Sequence, residues 1–250
     1  MRFGLIIVGD ELLRGKRQDR HLSAVVQMLS ARGLELFWAQ ILGDDVALLE
    51  ARFRSTLAGG DVVLSTGGIG ATPDDLTREA VARAAGVPLE PHAEGAGILH
   101  EQFAERATPQ RMKMVEFPRG AQLIPNPVNR VPGFSLGDHH FVPGFPTMAW
   151  PMLEWVLDTH YAQLHSDAPV AEYSYRVVAP ESELVPAMKH VLENYATVKV
   201  ASLPSTERFG EVELSVRGPA AEAMAAAESL TAQLAAAGVQ WELLDRTPGD

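Results

Sequence analysis

The 250-residue chain contains no cysteine. That excludes disulfides, thiolate zinc sites and a cysteine nucleophile, so any metal must be held by oxygen or histidine ligands. Basic residues are outnumbered: 21 Lys and Arg stand against 32 Asp and Glu, a formal net charge of -11. Nucleic acid is therefore not an expected partner, because binding it needs a basic face. The first apolar run, Leu5 to Val8, is far too short for a signal peptide or a membrane span, and nothing later is long enough to cross a bilayer. The expectation is a cytoplasmic protein with no membrane partner. Other machinery is also missing. There is no G-x-x-x-x-G-K-[ST] phosphate loop, no G-x-G-x-x-G after the first strand and no G-x-S-x-G nucleophile turn. The eight histidines show no ligand spacing; His139-His140 reads as a polar loop or strand-edge pair.

What the chain does have is a glycine turn between a buried strand and a helix start, over Asp61 to Thr77. Val62 to Leu64 is a short apolar run of the kind covered on both faces in a parallel sheet. Gly67, Gly68 and Gly70 follow, where a backbone without Cβ can take positive φ and approach a ligand. Thr72 is placed to cap a helix with Pro73 at its first position and Asp75 three residues after the cap. Such a turn supplies backbone N–H groups to an anion. The paired Asp74-Asp75 would repel a bare phosphate but hold one through a divalent cation.

The same alternation runs through the first 86 residues. Phe3 to Val8 reads as a strand and ends in Gly9-Asp10-Glu11-Leu12-Leu13-Arg14-Gly15. Leu22, Val25, Val26 and Leu29 repeat at helical spacing up to Gly33. Leu34 to Leu42 reads as a second strand, and Asp44-Asp45 open a helix with Val46, Leu49, Phe53 and Leu57 on its buried face. Strand–helix alternation of this kind implies a mostly parallel sheet wrapped by helices. Ala96 to Arg106 then looks helical, Leu123-Ile124 and His140 to Val142 look like strands, and a proline-rich loop spans Pro125 to Phe134. Pro143-Gly144-Phe145-Pro146 makes another turn after a strand. From Thr147 the chain is helical to about His165, with Met148, Met152, Trp155 and Val156 on one side as core. Ser166 to Pro169 reads as a linker. Residues 170–246 follow the order βαββαβ of a small ferredoxin-like α+β module, read as a packing or dimerisation unit, so a homo-oligomer is expected. The domain boundaries expected are 1–165 and 170–246.

If the strands are neighbours, three loops converge at one carboxyl edge: Asp10-Glu11, Asp44-Asp45 and Thr66 to Asp75. One of Asp44 and Asp45 is expected simply to cap the helix that follows, and Asp10 with Glu11 also reads as solvated loop charge.

Taken in order, Gly9-Asp10-Glu11-Leu12-Leu13-x-Gly15, Gly43-Asp44-Asp45 and Thr66-Gly67-Gly68-Ile69-Gly70-Ala71-Thr72-Pro73-Asp74-Asp75-Leu76-Thr77 resemble the MoaB/Mog molybdopterin-binding domain. They are more closely similar to the N-terminal part of the CinA (competence/damage-inducible protein A) family. Leu123 to Pro127, Pro132-Gly133-Phe134 and Pro143 to Pro146 extend the resemblance to about residue 160. It implies a three-layer α/β/α fold and a nucleotide-like or molybdopterin-like diphosphate ligand. It also implies a metal-dependent hydrolase of the ADP-ribose pyrophosphatase type, with adenylyl transfer to molybdopterin or plain ligand binding as alternatives. Carried over, the catalytic acids are Asp44 and Asp75. The ligand site comprises Gly9, Asp10, Glu11, Thr66, Gly67, Gly68, Gly70, Thr72, Asp74, Pro143 and Gly144. A divalent cation would lie on Asp75, Asp44 and Asp10. Ala71 stands where proline is usual, Arg20-His21 where Thr-Asn is usual, and Thr147-Met148 where Ser-Glu is often seen. The deamidase domain that usually follows in CinA proteins is not in this sequence.

Overall fold

The computed structural model describes residues 1–166, 170–206, 208 and 210–247. The chain divides into two compact units, Met1–His165 and Ser166–Asp250. Of the linker read over 166–169, residues 167–169 lie outside the described residues.

The first unit runs β1 (Phe3–Val8), α1 (Asp10–Leu13), α2 (His21–Ser30), β2 (Leu36–Leu42), α3 (Val46–Leu57), β3 (Val62–Thr66) and α4 (Thr77–Ala85). It continues with β4 (Leu89–Pro91), α5 (Ala93–Phe103), α6 (Pro109–Met112), β5 (Glu116–Pro118), β6 (Gln122–Ile124), β7 (Gly133–Leu136), β8 (His139–Val142) and α7 (Pro146–His160). Six strands form one sheet in the order β2-β1-β3-β8-β7-β6. The first four are mutually parallel and β7 runs antiparallel to β8. Every residue of β1 and β3 is buried, as expected of central strands covered on both sides, whereas β2 at the edge alternates in exposure.

Two cores flank this sheet. On one face Leu5, Ile7 and Leu64 pack with Val25 and Leu29 of α2 and with Met152, Val156 and Leu157 of α7. On the other, Ile6, Val8 and Val63 pack with Phe53 of α3, Val81 of α4 and Leu99 of α5. Alternate strand residues thus feed opposite helix layers. The fold is a three-layer α/β/α sandwich around a mainly parallel sheet, as the alternation implied. At 25 cal/mol per Å² of buried apolar surface, each of these large side chains contributes roughly 1.5–3 kcal/mol.

Three local readings are corrected. The helix after the glycine turn starts at Thr77, not beyond a Thr72 cap, because Thr72 to Asp75 closes as a separate turn, Asp75 N donating to Thr72 O at 3.0 Å. The last helix of this unit ends at His160 rather than near His165, which follows a short 3-10 turn over Ala162–Leu164. Finally, His139 and His140 are neither loop nor edge: both are buried in β8, inside the sheet. Three of their four ring nitrogens find partners within the protein. His139 Nε2 donates to Thr56 Oγ1 at 2.9 Å. His140 Nε2 donates to the Tyr161 hydroxyl at 2.7 Å, which itself donates to Asp138 Oδ1 at 3.0 Å, while Ser135 Oγ donates to His140 Nδ1 at 2.7 Å. Burial pushes His139 down to about 4, and burial followed by the neighbouring His160 and His139 pushes His140 down to about 3.

The second unit is β9 (Val170–Val178), α8 (Glu181–Asn194), β10 (Lys199–Pro204), β11 (Glu211–Pro219), α9 (Ala220–Ala236) and β12 (Gln240–Thr247). Its antiparallel sheet has the order β10-β11-β9-β12, the ferredoxin-like arrangement. One face packs on the helices through Tyr175, Val177, Leu214, Val191 and Leu230. Charged residues of the strands pair with one another, Arg176 with Glu211 and Glu242.

Candidate functional site

The parallel strands β1, β2, β3 and β8 all end at one edge, and the loops that leave them meet there. The loop after β3 is built around Asp75. Its Oδ1 accepts the backbone N–H of Gly70 at 2.8 Å, and its Oδ2 accepts both the N–H of Thr72 at 2.8 Å and the Thr72 hydroxyl at 2.5 Å. Gly70 is required for this: a Cβ there would lie 2.5 Å from Asp75 Oδ2. Gly68 has φ +69 and a Cβ would lie 2.3 Å from Thr77 Oγ1, the hydroxyl that donates to Gly67 O at 3.0 Å. The turn is joined to its neighbours by Gly67 N donating to Val142 O at 3.0 Å and Thr77 N to Gly68 O at 3.0 Å. Among the described residues, the N–H groups of Gly68, Ile69 and Ala71 take no acceptor from the protein. They are the donors this turn leaves for an anion.

Asp10 and Asp44 hold each other across two loops. Asp10 N donates to Asp44 Oδ2 at 2.8 Å and Asp44 N donates to Asp10 Oδ1 at 3.2 Å. Asp10 Oδ2 also receives Arg14 at 2.5 Å. Burial, offset by the bond from Asp10 N and reinforced by the charges of Asp10, Glu11 and Asp74, holds the Asp44 carboxyl above the usual carboxylate range. Asp45 is the helix cap of the pair, accepting Leu48 N at 2.7 Å.

A cleft opens over these loops in two lobes. The first, of about 470 Å³, is lined by Gly9, Glu11, Asp44 and Arg17 on one side and by Gly67, Gly68, Ile69, Gly70, Thr72, Asp74 and Asp75 on another. Pro143 and Gly144 close it, with Met114, Val131, Phe145 and Met148 as an apolar wall. The second, of about 410 Å³, shares Val8, Glu11, Arg17 and Gly144 with the first and adds Arg20, His21 and Thr66. Of the predicted site residues, Asp10 lines neither lobe; it stands behind Asp44 as a brace.

The three acids read as a metal set do not form one. Both Asp75 oxygens accept hydrogen bonds from the turn, and Asp10 is engaged by Asp44 N and Arg14. Among the described residues no group of three His, Asp or Glu side chains is arranged to hold a metal ion. Asp44 and Glu11 are acids that line the cleft outside the turn, and one Asp44 oxygen, Oδ2, accepts Asp10 N.

Several contributors went unread in the sequence. Arg78, 6% exposed, reaches from α4 to Gly70 O at 2.6 Å, Glu116 O at 3.2 Å and Lys113 O, tying the turn to the β5 edge. Burial lowers the pKa of its guanidinium, against the raising influence of Asp75 and Glu116. Asn126 pins the proline-rich loop, donating to Asn129 Oδ1 at 2.8 Å and Val131 O at 2.9 Å. His21 Nε2 donates to Gly144 O at 3.1 Å. Phe145, 57% exposed, projects at the cleft. Only its place in the Pro143 to Pro146 turn could have signalled it.

A parallel-sheet sandwich with a glycine turn and an acidic wall at the strands' carboxyl edge defines an α/β protein whose cleft lies where such folds carry their ligand sites. Comparison with known proteins narrows this. Residues 4–162 match the family described as "Probable molybdopterin binding domain", and the chain belongs to that family. A CinA-like protein of Anaeromyxobacter sp. (strain Fw109-5) is 36% identical over 238 residues, covering 89% of this chain and 56% of its own length. A protein of Pyrobaculum arsenaticum is 32% identical over 217 residues, covering 82% of this chain and 81% of its own. Among solved structures, the protein CinA, of unknown function, from Thermoplasma acidophilum superposes with a TM-score of 0.58 at 28% identity, covering 63% of this chain and 98% of that one. The chain spans a little over half the length of such CinA-like relatives. Among the described residues, no helix is long and apolar enough to cross a membrane.

Proposed function

We propose that the cleft binds a nucleotide-like or molybdopterin-like diphosphate and hydrolyses it, as an ADP-ribose pyrophosphatase does. The observation that carries this reading is the pairing of three unspent turn N–H groups, on Gly68, Ile69 and Ala71, with an acidic wall in one cleft. Backbone donors fixed by Asp75 and Arg78 are preorganised for phosphate oxygens and need no rearrangement on binding. Phe145 and Met148 offer an apolar surface to a planar ring, adenine or pterin. Asp44, its pKa raised by burial and neighbouring acids, is the group that takes a proton from attacking water; water oxygen joins phosphorus as the bridging P–O bond breaks, giving two phosphomonoesters. A divalent cation, if bound with the diphosphate, would draw on Asp44 for a carboxylate oxygen and would supply neutralisation of phosphate charge and polarisation of phosphorus.

The family description favours a second reading, molybdopterin binding with or without adenylyl transfer. The absence of a three-acid metal group among the described residues is consistent with binding alone. The test is phosphorus NMR of ADP-ribose incubated with the full chain and magnesium. Appearance of AMP and ribose 5-phosphate supports hydrolysis. Binding of ADP-ribose by calorimetry with no product in the same sample rejects hydrolysis and leaves the binding reading.

A further inference from the structure

Two buried polar atoms in the second lobe have no partner in the protein. His21 is 6% exposed and Thr66 0%, both line this lobe, and among the described residues neither His21 Nδ1 nor Thr66 Oγ1 makes a hydrogen bond. Buried polar groups are rarely left so, and at a cleft wall the missing partner is a ligand or a water. Their geometry specifies what is missing. Gly144 O can only accept, so the His21 nitrogen 3.1 Å away, Nε2, carries a proton, and Nδ1 of that tautomer offers a lone pair. The Thr66 hydroxyl both donates and accepts. It ends β3 two residues after Leu64, on the face that packs against α2 and α7.

The start of α2 is not the donor here, because Asp19 already accepts His21 N at 2.9 Å and Leu22 N at 3.0 Å. Positive charge comes instead from side chains. Among the described residues lining either lobe, the arginines are Arg17 and Arg20, and there is no lysine; Arg20 lines the second lobe and Arg17 both. The first lobe carries Asp44, Asp74 and Asp75, which the second lacks; the two share Glu11, and the second adds only Asp19, already engaged at the start of α2, so its acids are matched by Arg17 and Arg20 while the first lobe is strongly acidic. A ligand's free negative charge is therefore better placed in the second lobe, and its neighbouring atoms must offer an O–H to Nδ1 and an oxygen to Thr66.

We propose that the second lobe is a sugar-phosphate subsite. One sugar hydroxyl donates to His21 Nδ1, another accepts from Thr66 Oγ1, and the phosphate faces Arg17 and Arg20. The inference rests on the diphosphate reading above: the glycine turn lies where the lobes join, the ring half of the ligand occupies the first lobe, and the phosphorylated sugar occupies the second. His21 and Thr66 thereby select for what is attached to the nucleotide's diphosphate.

Calorimetry on the full chain with two probes, AMP and ribose 5-phosphate, tests this. The wild type binds both, and saturation with AMP changes the Kd for ribose 5-phosphate less than twofold. Thr66→Val removes only the unpartnered hydroxyl. It weakens ribose 5-phosphate about fivefold or more and AMP less than twofold, without lowering the melting temperature. The subsite is overturned by unchanged ribose 5-phosphate affinity in Thr66→Val, as expected if a water alone fills the lobe. Competition between the probes, or binding of AMP without ribose 5-phosphate, also overturns it. A wild type that binds neither AMP nor ADP-ribose sinks the diphosphate reading itself, and the subsite with it.

Discussion

Asp75 Oδ1 accepts the backbone N–H of Gly70 at 2.8 Å, so a carboxylate that the sequence offers as a metal ligand is spent inside the loop it belongs to. The other oxygen takes two donors from Thr72. These bonds hold the turn in shape, which separates the expected behaviour of Asp75 from that of Asp44.

Asp75→Asn keeps the size but replaces one acceptor oxygen with an NH2 group, which faces either Gly70 N or the two Thr72 donors. Loss of charge-assisted bonds costs about 1.5–3 kcal/mol. The expected result is a lower denaturation midpoint together with weaker ligand binding, and turnover per bound ligand close to normal. A stable variant with turnover reduced a hundredfold would return Asp75 to the chemistry.

Asp44→Asn should behave oppositely. Its amide oxygen can still accept Asp10 N, and the mutual repulsion with Asp10, Glu11 and Asp74 disappears. Stability should change by less than about 1 kcal/mol. Hydrolysis of ADP-ribose should fall about a hundredfold, and the magnesium concentration for half-maximal rate should rise. Rates and urea midpoints measured on the same preparations decide between the two.

Gly68→Val places a β-branched side chain at φ +69 and a Cβ 2.3 Å from Thr77 Oγ1. Strain at such a position costs about 1–3 kcal/mol. Thermal melts should show that loss, and the variant should lose ligand affinity because the Ile69 and Ala71 donors move with the turn. Unaltered affinity in a folded variant would show that the turn only connects.

Acid should weaken the first unit through its buried histidines. His139 and His140 are held near 4 and 3 when folded, below the 6.5 of an exposed ring. The unfolded chain therefore binds more protons below pH 6.5. The stability contributed by keeping the rings neutral is complete above 6.5 and is lost as pH falls toward 4 for His139 and 3 for His140. Each contributes about 1.4 kcal/mol per pH unit in that window. Urea midpoints should drop between pH 6.5 and 5, and His139→Gln should flatten the fall.

Residues 1–165 should fold alone, since both of their cores are built from residues of that unit and the third core runs from Ala171 to Leu234. A cooperative melt of the truncated chain is the expected outcome; an insoluble or molten product would show that the units depend on each other.

Much of the architecture could be read from period and punctuation. Uninterrupted apolar runs such as Leu5 to Val8 mark central strands, and the Gly–acid segments after them mark the carboxyl edge. What could not be read is what depends on long-range partners. Thr72 looks like a cap because Asp75 follows at the right spacing, and the reciprocal bond from Thr72 N does form, but the helix is displaced to Thr77 by the bond between Thr77 N and Gly68 O. His139-His140 looks polar in sequence, and burial became tolerable only through Thr56, Ser135 and Tyr161, none of them adjacent in the chain. Arg78 was invisible for the same reason, its carbonyl partners lying on other elements.

The placement of β8 beside β3 bears on how the protein is made. Gly67 of the glycine turn donates to Val142, and Gly144 packs against Gly67. The strands β1 to β3 emerge first during synthesis, but β3 has an unpaired edge until the segment around residue 142 arrives. Closing such a long loop is slow compared with forming local contacts. A nascent chain stalled before that point would have its parallel strands but no finished cleft. Ligand binding should therefore appear late and abruptly along a series of ribosome-bound lengths, when Pro143 and Gly144 clear the exit tunnel.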